Sequence, residues 1–361
     1  MKPVTLFLLM TTLTTSCNTS TNSFDELDAP AIYYGAVSQD SVLYTFKKGN
    51  LSITSNQAID KHSQFALFSI TKTFTAISIM QLAESGEISL DDQAIKHLPQ
   101  YEFLGEITIR HLLTHQSGIN NPLPIRWIHL AENDDTFDFD EFNSKVLTQK
   151  AKVKSKAGSK AAYSNLNFIL LGDIISKVSG RSYQEYITQN VLNNDEMGFQ
   201  WKEKNTVTGY HRSGFQGIIL GCLMDKKKFT DPKIEGFIPF KKINLNGSAY
   251  GGLLSSANGL NVFLQALLNP ESTILSQDMK HTMFQEQPLS NGKASGHTLG
   301  WFSGSLNGIN YVHHAGGGGG YYLEMRIYPE KGIATYLLTN KSGFSDQRIL
   351  DKLDAQHLDF K

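Results

Sequence analysis

Runs of strand character sit at both ends of this chain with helical spacing between them, and that order most restricts its fold. Ala31–Val37 and Ser41–Phe46 flank Gln39-Asp40 as a hairpin. From Ser69 onward, Ile70, Phe74, Ile77 and Met80 recur at helical spacing up to a capping Gly86. Thr108–His115 reads as a short helix ending before Ser117-Gly118. Leu166–Val178 is an almost uninterrupted apolar helix closed by Gly180, which implies deep burial. After Tyr250-Gly251-Gly252, Ser256–Leu268 forms another helix. Strand-like runs return over Thr298–Phe302, Ile309–His314, Tyr321–Tyr328 and Ile333–Thr339, with turns at Asn307-Gly308 and Glu330-Lys331-Gly332. Ser345–Leu358 closes as a terminal helix. The order predicts an α+β fold: an antiparallel sheet drawn from both chain ends and flanked by helices, with an all-α region inserted.

The first residues read differently. Lys2 gives a positive start, and Val4–Leu13 is an apolar stretch of about ten residues, short of the roughly 20 needed to span a bilayer. Thr14-Thr15-Ser16 then precede Cys17. This pattern resembles a bacterial lipoprotein signal, cleaved before Cys17 and lipidated on its sulfur, although Thr14 stands where a leucine is usual. A plain secretory signal with an incidental cysteine is the competing reading. The expected organisation is a signal over residues 1–16, a polar tether over 17–30 and one domain over 31–361. Within that domain the α/β part covers about 31–68 and 247–361, and the helical part about 69–246. The chain is then an exported, membrane-anchored protein facing the periplasm or the cell exterior. With Cys17 lipidated, the second cysteine, Cys222, has no partner within the chain.

Charge excludes other classes. Lysine and arginine total 33 against 34 aspartate and glutamate, for a net charge of −1, so nucleic acid is not an expected partner. Two cysteines cannot build a disulfide framework or a cysteine-rich metal site. Neither a phosphate-binding loop nor a dinucleotide fingerprint is present, and no cofactor is expected. His111 and His115 are four residues apart, as in a helical zinc motif, but Leu112 stands where a catalytic glutamate would be. No metal is expected. A G-x-S-x-G elbow is also missing, which argues against an α/β-hydrolase.

Three short motifs carry the chemistry. Ser69-Ile70-Thr71-Lys72 opens the long apolar helix, with Lys72 one turn on and facing the same way. A serine hydroxyl needs a nearby base to become a nucleophile, and a desolvated lysine supplies one. A second S-x-x-K match, Ser290-Asn291-Gly292-Lys293, lies in a polar stretch without an apolar helix after it. Tyr163-Ser164-Asn165 precedes the buried helix. Tyr163 is a candidate for proton transfer, and Asn165 for binding a substrate amide and steadying Lys72, or both merely cap a helix entry. His314-Ala315-Gly316-Gly317 ends a strand-like run. The Gly317 and Ser69 N–H groups are candidate oxyanion donors, with a glycine-rich turn beside a core histidine as the alternative.

Ser69-x-x-Lys72, Tyr163-x-Asn165 and His314-x-Gly316, in this order, resemble the three signatures of the serine β-lactamase and penicillin-binding-protein superfamily. The flanks FSITKTFTAISIMQLAESGEISLDD, YSNLNFILLGDIISKVSG and HAGGGGGYYLEMRIYPEKGIATYLLTN resemble it too, closest to its class C-like branch. The resemblance implies that Ser69 is acylated and that Lys72 is its proton partner. It makes Tyr163 a general base and then acid, and gives Asn165, His314 and Gly316 to substrate binding. Ser69 and Gly317 would donate to the oxyanion. It implies an esterase or a D-Ala-D-Ala carboxypeptidase-like enzyme, possessing at most weak β-lactamase activity, on a small-molecule or peptide substrate that can be cell-wall derived. A non-catalytic binding or sensor lipoprotein on the same fold is the alternative. Classical β-lactamases and penicillin-binding proteins mostly carry lysine where His314 stands, whereas histidine is common in the esterase and peptidase relatives, and Ala315 replaces a frequent hydroxyl residue. The region 192–246 departs most from the pattern, so specificity cannot be read from it.

Overall fold

The computed structural model describes residues 23–122, 127–192, 194–213, 224–344 and 348–358. Residues 1–16, Cys17 and Cys222 lie outside these. Among the described residues no helix is long and apolar enough to cross a membrane.

The predicted N-terminal hairpin is β1 (Ala31–Ser38) and β2 (Val42–Gly49). The C-terminal part supplies β3 (Phe302–Leu306), β4 (Ile309–Gly318), β5 (Tyr321–Tyr328) and β6 (Ile333–Thr339). All pairings are antiparallel, in the order β3-β4-β5-β6-β1-β2, so the two ends of the chain meet at β6 and β1. Asn307 and Gly308 both adopt positive φ, 52° and 81°, as the two-residue turn between β3 and β4 requires.

β1 is buried on both faces because each face has its own cover. Tyr33 and Val37 point into the main core, which also holds Leu260, Phe263 and Leu264 of the helix Ala257–Leu268. Ile32 and Tyr34 point the other way, onto the terminal helix Ile349–His357 through Leu350 and Leu353. A run without a polar position from Ala31 to Val37 is what a sheet covered on both sides selects.

Two expectations need correction. The polar tether does not extend to residue 30. Phe24 is fully buried, its ring stacked 3.8 Å from that of Phe46 and 5.1 Å from His357, so the folded unit begins before β1. Thr298–Phe302 is not a strand. Its residues are apolar because Leu299 and Trp301 enter the core, where the Leu299 N–H donates to the Met283 carbonyl and that of Gly300 to Leu113. The edge strand starts at Phe302 instead.

The inserted region is built on α1 (Thr71–Glu84), α2 (Ile109–Leu113) and α3 (Asn165–Ser179). α1 is enclosed on all sides along Thr71–Met80, and α3 ends at Gly180 in the left-handed conformation. The region is not purely helical. Ile128–Leu130 pairs with Ile243–Leu245, and Tyr210–Arg212 pairs with Phe237–Pro239 on one side and Lys341–Ser342 on the other.

Candidate active site

Ser69 lies in a single 3₁₀ turn, Phe68–Ile70, that runs into α1. Phe68 takes a positive φ of 46°, an uncommon backbone state for a bulky residue and typical of constrained functional turns. Ser69 is half-buried, whereas Lys72, one turn on, is fully buried. The Lys72 side-chain nitrogen lies 3.1 Å from the Ser69 hydroxyl oxygen and donates to the Tyr250 carbonyl at 2.7 Å. Rings of Tyr163, Tyr250 and Phe168 surround it at 5.0, 5.4 and 5.6 Å. No carboxylate pairs with it among the described residues, and burial alone drives its pKa well below the ordinary lysine range.

Tyr163 approaches from the turn before α3, and its hydroxyl donates to the Ser69 oxygen at 2.9 Å. Burial raises its pKa, and the hydrogen bond to Ser69 opposes that only in part. A hydroxyl, an amine and a phenol thus converge on one oxygen, as the three-motif reading requires. Asn165 lines the same cleft, but it does not hold Lys72. Its N–H donates to the Asn121 side chain, and its buried Oδ1 has no protein partner.

β4 closes the other side. A Cβ added to Gly316 would fall 2.2 Å from the Leu67 carbonyl and 3.2 Å from the Ser69 nitrogen, so bare backbone is needed for the strand to lie against the nucleophile turn. A Cβ on Gly317 would meet only the Tyr321 carbonyl at 3.7 Å and the Tyr322 ring at 3.8 Å, ordinary contacts that leave room there. His314 is buried on the cleft floor and donates from Nδ1 to the Ala315 carbonyl at 2.8 Å. Burial above all pushes its pKa well below the usual histidine value, so the ring is neutral. His313, its neighbour, is pushed down to about 4, chiefly by burial.

Sequence reasoning missed His115. It takes a positive φ of 55° and is nearly fully buried, with its ring centroid 4.5 Å from that of Tyr163. Its carbonyl accepts the Ala162 N–H at 2.8 Å. Its Nδ1 accepts the Ser164 N–H at 3.1 Å and the Asn167 side-chain amide at 3.2 Å. One residue therefore grips the chain on both sides of Tyr163. Burial holds its imidazole pKa well below the usual value, which keeps Nδ1 free to accept. The Tyr250 carbonyl beneath Lys72 was missed as well, since a main-chain acceptor leaves no mark in sequence.

The remaining candidates fall elsewhere. Ser290 is exposed in a loop and bonds through its N–H to the Gly158 carbonyl. His111 bonds Thr108 through Nδ1, and among the described residues no three of His, Cys, Asp or Glu are grouped to hold a metal ion.

An antiparallel sheet from both termini, a helical insert and a cleft between them holding Ser69, Lys72 and Tyr163 together define a β-lactamase-like serine hydrolase fold. Residues 22–359 match the Beta-lactamase family, and the chain belongs to it. Penicillin-binding protein 4* of Bacillus subtilis (strain 168) is 26% identical over 337 residues, covering 88% of this chain and 70% of that protein. Protein flp of Staphylococcus aureus (strain NCTC 8325 / PS 47) is 24% identical over 310 residues, 83% of this chain but 57% of that one. The chain therefore spans little more than half the length of protein flp. Among solved structures, the octameric penicillin-binding protein homologue from Pyrococcus abyssi superposes with a TM-score of 0.72 at 26% identity, covering 92% of this chain and 75% of that one. The D-amino acid amidase from Ochrobactrum anthropi SV3 shares the fold at 18% identity, with a TM-score of 0.74 over 92% of this chain and 95% of its own.

Proposed function

We propose that the chain is an exported serine hydrolase that forms an acyl-enzyme on Ser69 and cleaves an ester, an amide or a D-amino-acid peptide. The observation that carries this is the pair of contacts on the Ser69 oxygen, from Lys72 at 3.1 Å and Tyr163 at 2.9 Å. Burial favours the neutral amine on Lys72 and the neutral phenol on Tyr163. We therefore read Lys72 as acceptor of the Ser69 proton, in place of the general-base role that the resemblance implied for Tyr163. The Ser69 oxygen bonds the substrate carbonyl carbon, and its proton passes to Lys72. The bond to the leaving group breaks as Tyr163 donates its proton, and Lys72 restores it. Water then releases the acyl group. Such proton transfers contribute about 10²–10⁴-fold each. N–H groups of Ser69 and Gly317 take the oxyanion, and the orphaned Asn165 Oδ1 takes a substrate donor. Lipid on Cys17 holds the enzyme at the membrane, facing the periplasm or the cell exterior, where cell-wall peptides are within reach.

A fluorophosphonate or fluorescent penicillin probe should label the intact protein, and Ser69→Ala should abolish the label while leaving the thermal midpoint unchanged. Intact mass after incubation with a substrate panel then reads the acyl group directly. Labelling that survives the substitution overturns the nucleophile. An unlabelled wild-type chain that turns over no substrate favours the non-catalytic binding reading.

A further inference from the structure

The cleft beside Ser69 encloses about 1080 Å³. One wall comes from the insert, in the stretch where specificity was illegible. Phe240 and Ile243 belong to a small buried cluster separate from the main core, with Ile128 and Met224 packed on it, and all four line the cleft. Strand alternation explains the split. In the pair Ile128–Leu130 and Ile243–Leu245, the apolar positions Ile128, Ile243 and Leu245 line the cleft, while His129 and Asn244 turn aside. His129 Nε2 meets Asp134 at 2.9 Å, the Asn244 amide donates to the same carboxylate oxygen at 2.6 Å, and His129 Nδ1 meets Asn246 at 2.8 Å. The apolar wall is thus pinned from behind by a polar network.

Bare backbone extends it. A Cβ on Gly318 or Gly319 would come within 2.9 Å of the Phe68 ring, and one on Gly319 equally close to Ile243. These two glycines let Phe68, next to the nucleophile, and Ile243 close one continuous apolar surface. Charge points the same way. The described lining holds no aspartate or glutamate, His313 and His314 are neutral, the third histidine, His211, meets the Ser342 hydroxyl through Nδ1 at 2.9 Å, and the only arginine or lysine on it, Arg348, is exposed.

We propose that this wall binds an uncharged, apolar acyl group, branched aliphatic or aromatic, of the substrate whose carbonyl sits at Ser69. The assignment rests on the acyl-enzyme reading above. It falls to the acyl side because Tyr163, which protonates the leaving group, is flanked by Phe302 at 6.4 Å and His115, whereas the wall runs past Gly317 along Gly318 and Gly319.

Nitrophenyl esters with one leaving group and varied acyl groups test it on the full chain. From acetate to butyrate kcat/KM should rise roughly 15-fold, about fourfold per buried methylene, with phenylacetate at least as good and the anionic hemisuccinate at least tenfold below butyrate. In Ile243→Ala the butyrate-to-acetate ratio should fall, and in Ile243→Asp it should fall further. A flat acyl series in the wild-type chain, or a preference for hemisuccinate, overturns the inference and leaves the hydrolase standing. Turnover of acetate that persists in Ser69→Ala overturns the acyl-enzyme reading, and the inference falls with it.

Discussion

His115→Phe isolates what holds Tyr163 in place. Phenylalanine keeps the ring volume against Tyr163 but removes Nδ1, so the Ser164 N–H and the Asn167 amide both lose their acceptor. Each orphaned buried donor costs about 1–3 kcal/mol. Because the two share one lone pair, the joint loss should fall near 2–4 kcal/mol, a large part of the roughly 5–15 kcal/mol that stabilises such domains. The activity should fall further than stability alone explains. Tyr163 must sit at 2.9 Å from Ser69, and displacement by about 1 Å costs on the order of 10²-fold in rate. His115 bonds the chain around Tyr163, so kcat should drop while KM stays within about threefold. Asparagine tolerates the positive φ and offers an amide oxygen, so His115→Asn should recover part of both losses. Urea unfolding and steady-state hydrolysis of one ester read the two effects. A His115→Phe chain with the wild-type midpoint and the wild-type kcat would refute the reasoning.

Stability should also depend on pH through the buried cluster under the terminal helix. There Asp354 accepts from Tyr34, Tyr328, Thr335 and Arg326, and burial raises its pKa to about 6 and that of Glu324 to about 7. Both sit above the unfolded carboxyl range near 4, so the folded chain binds more protons and these groups lose stabilising effect as pH rises from about 4 to 7. Buried neutral histidines such as His314 pull the other way, so the readable outcome is a difference: urea midpoints from pH 5 to 8 should decline less, or climb more, in Asp354→Asn than in wild type. Identical slopes would contradict it. Phe24→Ala should cost about 3–5 kcal/mol, as removal of a buried aromatic ring does. An unchanged midpoint would return residues 23–30 to the tether.

The architecture was legible wherever one residue type has few alternatives. Asn307-Gly308 fixed a hairpin because two successive positive φ values admit little else, and the Ile70–Met80 spacing announced α1. The convergence of Ser69, Lys72 and Tyr163 was legible as a combination, since each motif alone recurs by chance. What escaped depends on contacts between distant segments. Phe24 sits in a polar stretch, and its burial is set by a helix at the far end of the chain. Thr298–Trp301 is apolar for the core rather than for a sheet, a distinction that alternation cannot make over so short a run. His115 resembled a filler histidine because the groups it grips lie 49 and 52 positions away. The insert wall was hidden because its polar half and its apolar half alternate within three-residue strands.

Placing β1 between β2 and β6 sets an order of events for a chain that emerges residue by residue. The N-terminal hairpin can close at once, yet Tyr33 waits for Leu338, and Ala36 for Thr335, before the sheet is complete. Until then a strand apolar on both faces has one edge unpaired, the kind of template other chains add to. Such long-range closure is slow. A newly made chain therefore passes through an interval of stickiness that ends only when its last strands arrive, and self-association of this protein should concentrate in that interval.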